Sequence, residues 1–186
     1  GWFYTLHAIA TLVFDKIAYK NVVSNGLVLD KNGQKMSKRL GNAADPFETL
    51  NEYGPDATRW YMISNANPWD NLKFDFEGIA EVRRKFFGTL YSTYSFFALY
   101  ANIDDFTYAE AEVPLNERPE IDQWIISELN TLVKVVDEAY ADYEPTKAAR
   151  AISEFVQENL SNWYVRLCRR RFWKGEYAQD KIAAYQ

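Results

Sequence analysis

The chain has 186 residues, of which 48% are hydrophobic and 17% aromatic, so it can bury a sizeable core and is predicted to be globular. Its 21 lysines and arginines face 26 aspartates and glutamates, and the net charge of -5 argues against a uniformly basic nucleic-acid binder. One cysteine and one histidine exclude an internal disulfide and a structural zinc site, so we expect no metal site and a reducing compartment such as the cytoplasm.

The first 29 residues read as the end of an α/β unit. Apolar residues at helical spacing predict a helix over Trp2–Phe14 that packs on a sheet. His7 on this helix is interpreted as a structural residue. The valine-rich run Lys20–Leu29 is bounded by turn formers, which predicts a strand buried on both faces.

A loop that carries two lysines follows this strand. Turn formers begin at Asp30, and the chain then presents Lys35 and Lys38 three residues apart. Two flexible ammonium groups suit a polyanion whose charge shifts during a reaction, such as a triphosphate that loses pyrophosphate. The hydroxyl of Ser37 can add a further donor. From these residues alone, a solvated basic turn is the simpler interpretation.

The rest of the chain is helical in pattern. Capping residues, prolines and apolar spacing predict helices over residues 46–54, 57–64, 79–101, 119–141 and 145–173, and a short one from residue 177. Residues 65–73, which include Pro68, are interpreted as a linker. The long uncharged run 86–103 contains several polar residues, so we read it as a buried helix and expect no membrane span. Three or four such helices predict an antiparallel bundle and a mainly α fold.

Basic and aromatic residues alternate near the end of the last long helix. Positions 163, 166, 170 and 173 lie along one helical face, and they hold Trp163, Arg166, Arg170 and Trp173. Arginines bind phosphates through two donors while aromatic rings stack on bases, so the cluster is typical of an RNA contact. The alternative is that the arginines pair with acidic neighbours such as Glu154 and that the tryptophans fill the core.

Four ordered motifs carry a family resemblance. They are the loop 35–42 (Lys-Met-Ser-Lys-Arg-Leu-Gly-Asn), the opening Gly-Trp-Phe-Tyr, the run 53–59 (Tyr-Gly-Pro-Asp-Ala-Thr-Arg), and the runs 160–166 and 169–173. The loop resembles the mobile Lys-Met-Ser-Lys-Ser signature of class I aminoacyl-tRNA synthetases. Taken together, the motifs are similar to the isoleucyl-tRNA synthetase family over nearly the whole chain. Arg39 departs from the family pattern, which has serine at that position.

This resemblance implies a parent enzyme that activates isoleucine with ATP and transfers it to tRNA(Ile). It makes Lys38 the expected catalytic residue, which contacts the ATP phosphates and stabilises charge as isoleucine attacks the α-phosphate. The implied ATP-binding residues are Lys35, Met36, Ser37 and Lys38, and Mg2+ accompanies ATP in the parent. The implied tRNA contacts are Trp163, Arg166, Arg170 and Trp173.

The resemblance also implies a division of the chain. Residues 1–64 form the end of a Rossmann-like nucleotide-binding domain with stem-contact helices, 65–77 a linker, and 78–186 part of an anticodon-binding-type helix bundle. The missing initiator methionine and the loop near the start predict a fragment of a longer enzyme. We expect the fragment alone to be inactive, because it lacks a His-Ile-Gly-His type motif, an amino-acid pocket and an editing domain. The parent is expected to be a cytoplasmic monomer.

Two alternatives stay open on the sequence. A valyl-tRNA synthetase shares the loop and the Gly-Pro/Ala-Asp-Ala pattern, although the opening motif and the run 169–173 favour isoleucine. A free-standing tRNA-binding module or helical interaction protein that kept the loop without catalysis would also fit.

Overall fold

A computed structural model describes residues 1–186 as nine α-helices, two short strands and a few π and 3-10 segments. The strands are β1 (Val28–Leu29) and β2 (Leu72–Lys73). The helices are α1 (Trp2–Phe14), α2 (Pro46–Tyr53), α3 (Pro55–Asn65), α4 (Phe76–Val82), α5 (Gly88–Ile103), α6 (Glu120–Ala141), α7 (Pro145–Glu154), α8 (Arg166–Trp173) and α9 (Gln179–Tyr185). The prediction of a mainly α fold is confirmed.

Two of the predicted long helices contain π segments. Arg83–Phe87 joins α4 to α5, and Phe155–Val165 joins α7 to α8, so each stretch runs as one continuous helical rod. The rods begin at Phe76 and Pro145, which matches the predicted starts to within three residues. The last helix begins at Gln179, two residues later than predicted.

The valine-rich run forms far less strand than we predicted. Only Val28–Leu29 pair, in parallel, with Leu72–Lys73. Val22 and Val23 stay exposed, so the prediction of a strand over 20–29 buried on both faces was wrong for this chain. The physical reason is that a buried parallel strand needs neighbours on both edges, and β2 is the one neighbour present.

Helix α1 forms where it was predicted, but it has no buried residue. Its apolar side chains are exposed, and they include Trp2, Tyr4, Leu12, Val13 and Phe14. Its contacts with the rest of the chain include the hydroxyl of Tyr19, which donates to the carbonyl of Phe3 at 2.8 Å. The expected packing of α1 on a sheet is therefore absent, and its large apolar side chains stay exposed.

Two cores hold the molecule together. A small one of Ala57, Tyr61 and Ile79 joins α3 to α4. A larger one lies among α5, α6, α8 and α9, and its buried members are Ala101, Phe106, Ile125, Tyr164, Cys168, Phe172 and Tyr185.

Polar contacts join α3, which carries part of the small core, to α7 at the start of the last rod. Arg150 donates to the carbonyls of Ser64 and Asn65 at 2.8 and 3.1 Å, which satisfies acceptors that the end of α3 leaves free. The indole of Trp60 donates to Ser153 at 3.1 Å and stacks on Phe86. These contacts fix the loop-bearing part of the chain against the bundle.

Candidate functional site

The loop after β1, residues 30–42, is the first candidate site, and we call it the signature loop. Asp30 organises its first turn: one carboxylate oxygen accepts the backbone N–H groups of Asn32 and Gln34 at 2.9 and 2.8 Å. Leu29 and Lys35 then form an isolated antiparallel bridge. The turn therefore folds back on β1 and delivers the lysines from a fixed edge.

The second half of the signature loop is a short helical turn. Lys38–Leu40 is a 3-10 segment, and the Ser37 hydroxyl oxygen caps it by accepting the N–H of Leu40 at 3.2 Å. Gly41 ends the turn with φ of 66°, in the left-handed region that favours glycine. The Ser37 hydroxyl thus has a local role as a cap in addition to any contact with a ligand.

The side chains of the two lysines are exposed and have no carboxylate within ion-pair distance. Met36 and Ser37 between them are half-buried. A polyanion can therefore bind both ammonium groups of Lys35 and Lys38 without first breaking an ion pair. The catalytic and ATP-binding roles of these four residues stay predictions, which the geometry accommodates.

A cavity of about 630 Å3 lies on the other side of the signature loop. Five carboxylates line it, Asp30, Asp45, Glu48, Asp75 and Glu77, against one lysine, Lys31. An anion entering this cavity would meet a negative potential. The exposed side of the loop that carries the two lysines is therefore the side that suits an anion.

The end of the last rod is the second candidate site. Trp163, Arg166, Arg170 and Trp173 are all exposed, and the two tryptophans are each 57% accessible. The structure brings three of the four together: Arg166, Arg170 and Trp173 line a cleft of about 490 Å3 with Arg169, Phe96 and Tyr100 of α5. We call these six residues the arginine cleft. Trp163 lies outside it, with its ring 6.5 Å from that of Trp124.

The floor of the arginine cleft was missed by the sequence reasoning. Phe96 packs edge-on against Tyr100 and Phe172. The guanidinium of Arg169 lies 5.9 Å from the centroid of the Phe96 ring, which is a cation–π distance. In the sequence, Phe96 belongs to a long uncharged run that predicts a buried helix, and nothing there indicates a role in a binding site. A second cavity of about 310 Å3, lined partly by Ser92, Thr93, Ser161 and Asn162, shares Phe96, Arg166 and Arg169 with the cleft.

The alternative that these arginines pair with acidic neighbours fails for three of them. Arg166, Arg169 and Arg170 have no carboxylate within 4.0 Å. Glu158 instead accepts from Asn162 at 3.3 Å. Three unpaired guanidiniums beside aromatic rings form a surface that complements a phosphate backbone and exposed bases.

Arg171 is the exception, because its side chain points into the bundle. It donates to both oxygens of Asp122 at 2.6 and 2.8 Å and to Asp180 at 3.0 Å. Asp122, which is 1% exposed, also accepts the hydroxyl of Tyr164. Burial is the largest influence on the pKa of Arg171 and lowers it, but the hydrogen bonds to Asp122, Cys168 and Asp180 together with the charge of Asp122 outweigh it, and the net shift is upward. Arg171 is therefore charged and structural.

The structure contains no cluster of three or more histidine, cysteine, aspartate or glutamate side chains that could hold a metal ion. None of the helices is both long enough and apolar enough to cross a membrane.

Two protein families match parts of this chain. Residues 1–75 match the tRNA synthetases class I (I, L, M and V), and residues 122–186 match the anticodon-binding domain of tRNA ligase. A LeuRS–tRNA–LeuAMS ternary complex from Agrobacterium radiobacter K84 shares the fold, with a TM-score of 0.65 over 97% of this chain and 25% of the other, at 19% identity.

Curated relatives give the closer likeness. Over 100% of this chain, the isoleucine–tRNA ligases of Bacteroides fragilis and Cytophaga hutchinsonii are 73% and 70% identical, and that of Thermus thermophilus is 46% identical. The chain spans 16% to 18% of the length of these relatives. The relatives favour the isoleucine over the valine alternative. The chain therefore belongs to the class I aminoacyl-tRNA synthetases and corresponds to a segment of the isoleucine–tRNA ligases.

Proposed function

We propose that the full-length protein activates isoleucine with ATP and transfers it to tRNA(Ile), and that this chain supplies the loop that binds the triphosphate and a surface that binds tRNA. The observation that carries the proposal is the signature loop, which holds two unpaired lysines at an exposed edge in a chain 70% to 73% identical to isoleucine–tRNA ligases. The segment alone is inactive, because it is a sixth of its relatives' length.

In this proposal Lys38 is the catalytic residue. When isoleucine attacks the α-phosphate, negative charge develops on the phosphates, and an ammonium group from the start of the 3-10 turn stabilises that charge. Lys35 adds a second cation, while Met36 and Ser37 shape the turn between them. Mg2+ accompanies ATP as part of the substrate in this proposal.

The arginine cleft is proposed to bind tRNA. Arg166 and Arg170 contact backbone phosphates, and Trp173 offers an exposed ring for stacking. Trp163 contacts the same RNA from outside the cleft. The match of residues 122–186 to an anticodon-binding family supports tRNA as the ligand.

The longer protein is proposed to cover what this chain leaves open. The exposed apolar side chains of α1 and the sheet of only two short strands are those of an incomplete α/β layer, so we propose that the remaining residues of the synthetase domain pack there. We further propose that residues 1–64, 65–77 and 78–186 act as catalytic end, linker and bundle in a cytoplasmic monomer.

The direct test is ATP–pyrophosphate exchange by the full-length protein with isoleucine, valine, leucine and methionine. We expect exchange to be strongest with isoleucine and largely lost in Lys38→Ala. Exchange that survives the substitution would show that Lys38 is not catalytic. No exchange with any of the four would overturn the synthetase proposal and leave a tRNA-binding module, which the chain's affinity for tRNA would then identify.

A further inference from the structure

We propose that Asn42 is a positioning residue for the signature loop, and that it acts through its contact with Asp30. The inference rests on the proposed function of the loop, and it concerns what holds the two lysines in place. The sequence assigned neither residue a role: Asp30 belongs to a turn, and Asn42 is the last residue of the motif 35–42.

The side chain of Asn42 connects both halves of the loop. Its amide group donates to the free carboxylate oxygen of Asp30 at 3.0 Å and to the carbonyl of Lys35 at 3.3 Å. Its oxygen accepts the backbone N–H of Ser37 at 2.9 Å. The two backbone groups it holds flank Met36, so one half-buried side chain fixes the peptide between Lys35 and Ser37.

No other hydrogen bond connects residues 37–44 to the strand side of the loop. Within that segment the remaining bonds are local: the Ser37 cap, and the N–H groups of Leu40 and Gly41 to carbonyls three residues back. Without the Asn42 side chain, the 3-10 turn that carries Lys38 would be attached to β1 only through the backbone at Lys35.

Asp30 is the fixed point against which Asn42 acts. Its two carboxylate oxygens accept three hydrogen bonds, two from the backbone of its own turn and one from Asn42. The bond from Asn42 is the main cause that lowers the pKa of Asp30, so the carboxylate is charged throughout the neutral range. A charged acceptor makes the bond from Asn42 stronger than one between neutral groups.

The consequence for catalysis follows from the position of the lysines. Electrostatic stabilisation of a transition state requires charges that are already in place, because reorganising them during the reaction adds to the barrier. If Asn42 no longer holds the N–H of Ser37, Lys38 keeps its charge but occupies a wider range of positions. We therefore expect the loss of Asn42 to lower kcat and to leave KM for isoleucine nearly unchanged.

The test is isoleucine-dependent ATP–pyrophosphate exchange by the full-length protein, with Lys38→Ala measured in parallel. Asn42→Ala should lower kcat by roughly tenfold to a hundredfold, the range that a displacement of about 1 Å produces. Asn42→Asp should be at least as harmful, because it sets two carboxylates against each other. Asn32→Ala is the matched control: Asn32 lies in the same loop and its side chain makes no hydrogen bond, so activity should not change.

The deciding variant exchanges the two side chains. In Asp30→Asn/Asn42→Asp, the amide at position 30 can donate to the carboxylate at position 42, which still accepts the N–H of Ser37 but can no longer donate to the carbonyl of Lys35. We expect this double variant to be about tenfold more active than Asn42→Asp while staying below wild type, a coupling that two independent structural residues would not show. Limited trypsin cleavage after Lys38 should be faster in Asn42→Ala than in wild type, and slower in the double variant than in Asn42→Asp.

The outcomes separate this inference from the proposed function. If Lys38→Ala keeps full activity, the proposed role of the loop fails. If Lys38→Ala is inactive while Asn42→Ala is fully active, the positioning role of Asn42 is wrong. A double variant as inactive as Asn42→Asp would also overturn it, because the contact between positions 30 and 42 would then be irrelevant.

Discussion

Neutralising the arginine cleft should weaken tRNA binding by an amount that the structure allows us to calculate. Arg166, Arg169 and Arg170 each present a guanidinium that no carboxylate neutralises. Each phosphate contact to a single-stranded region contributes about 0.7 to the slope of log K against log salt. If each arginine binds one phosphate, the triple alanine variant should lower that slope by about 2 and weaken binding about a hundredfold at 0.1 M salt.

The assay is binding of tRNA(Ile) to the full-length protein by fluorescence anisotropy or filter retention, over a range of salt concentrations. The triple Arg→Lys variant is the matched control, because it keeps the charge and should keep most of the slope while losing two-donor contacts. Lys134→Ala controls for a single exposed charge on α6, outside the cleft. A triple alanine variant with unchanged slope would refute the reasoning and leave these arginines as solvated surface residues.

Three further predictions test the rest of the structure. Asp122→Ala should destabilise the bundle by about 1.5–3 kcal/mol, because Arg171 loses its main partner and keeps only Asp180; faster amide hydrogen exchange in α8 is the readout, and unchanged exchange would contradict it. Cys168 is 3% exposed and burial raises the pKa of its thiol, so iodoacetamide should label it in urea but hardly in the native protein. Gly41→Ala, at φ of 66°, should cost about 1–2 kcal/mol locally and slow pyrophosphate exchange, whereas a fully active variant would show that the turn tolerates another conformation.

The helices were predictable because their signals are local. Asp45 followed by Pro46 predicted the start of α2, and the structure shows the carboxylate accepting the N–H groups of Phe47 and Glu48. The strand over 20–29 was not predictable in the same way, because the pairing of a parallel strand depends on partners far away in the chain. Its apolar pattern was real, but only Leu72–Lys73 was there to pair with it.

The same difference between local and long-range signals applies to the candidate sites. The family resemblance made the lysines of the signature loop candidates, whereas residue types and spacing pointed to the arginine-rich end of the last rod. They could not separate Arg171, which binds Asp122 across 49 positions, from Arg170, which faces solvent. For the same reason they could not find Phe96 or the contact of Asn42 with Asp30, since each depends on how distant segments meet.

The central claim is that this chain holds two separable devices, one for activation and one for tRNA. The most direct measurement compares pyrophosphate exchange with tRNA charging for two variants of the full-length protein. Lys38→Ala should lower both rates, whereas the triple alanine variant of the arginine cleft should lower charging at limiting tRNA and leave exchange unchanged. A cleft variant that lost exchange as fully as charging, or a Lys38→Ala variant that kept both, would contradict the account.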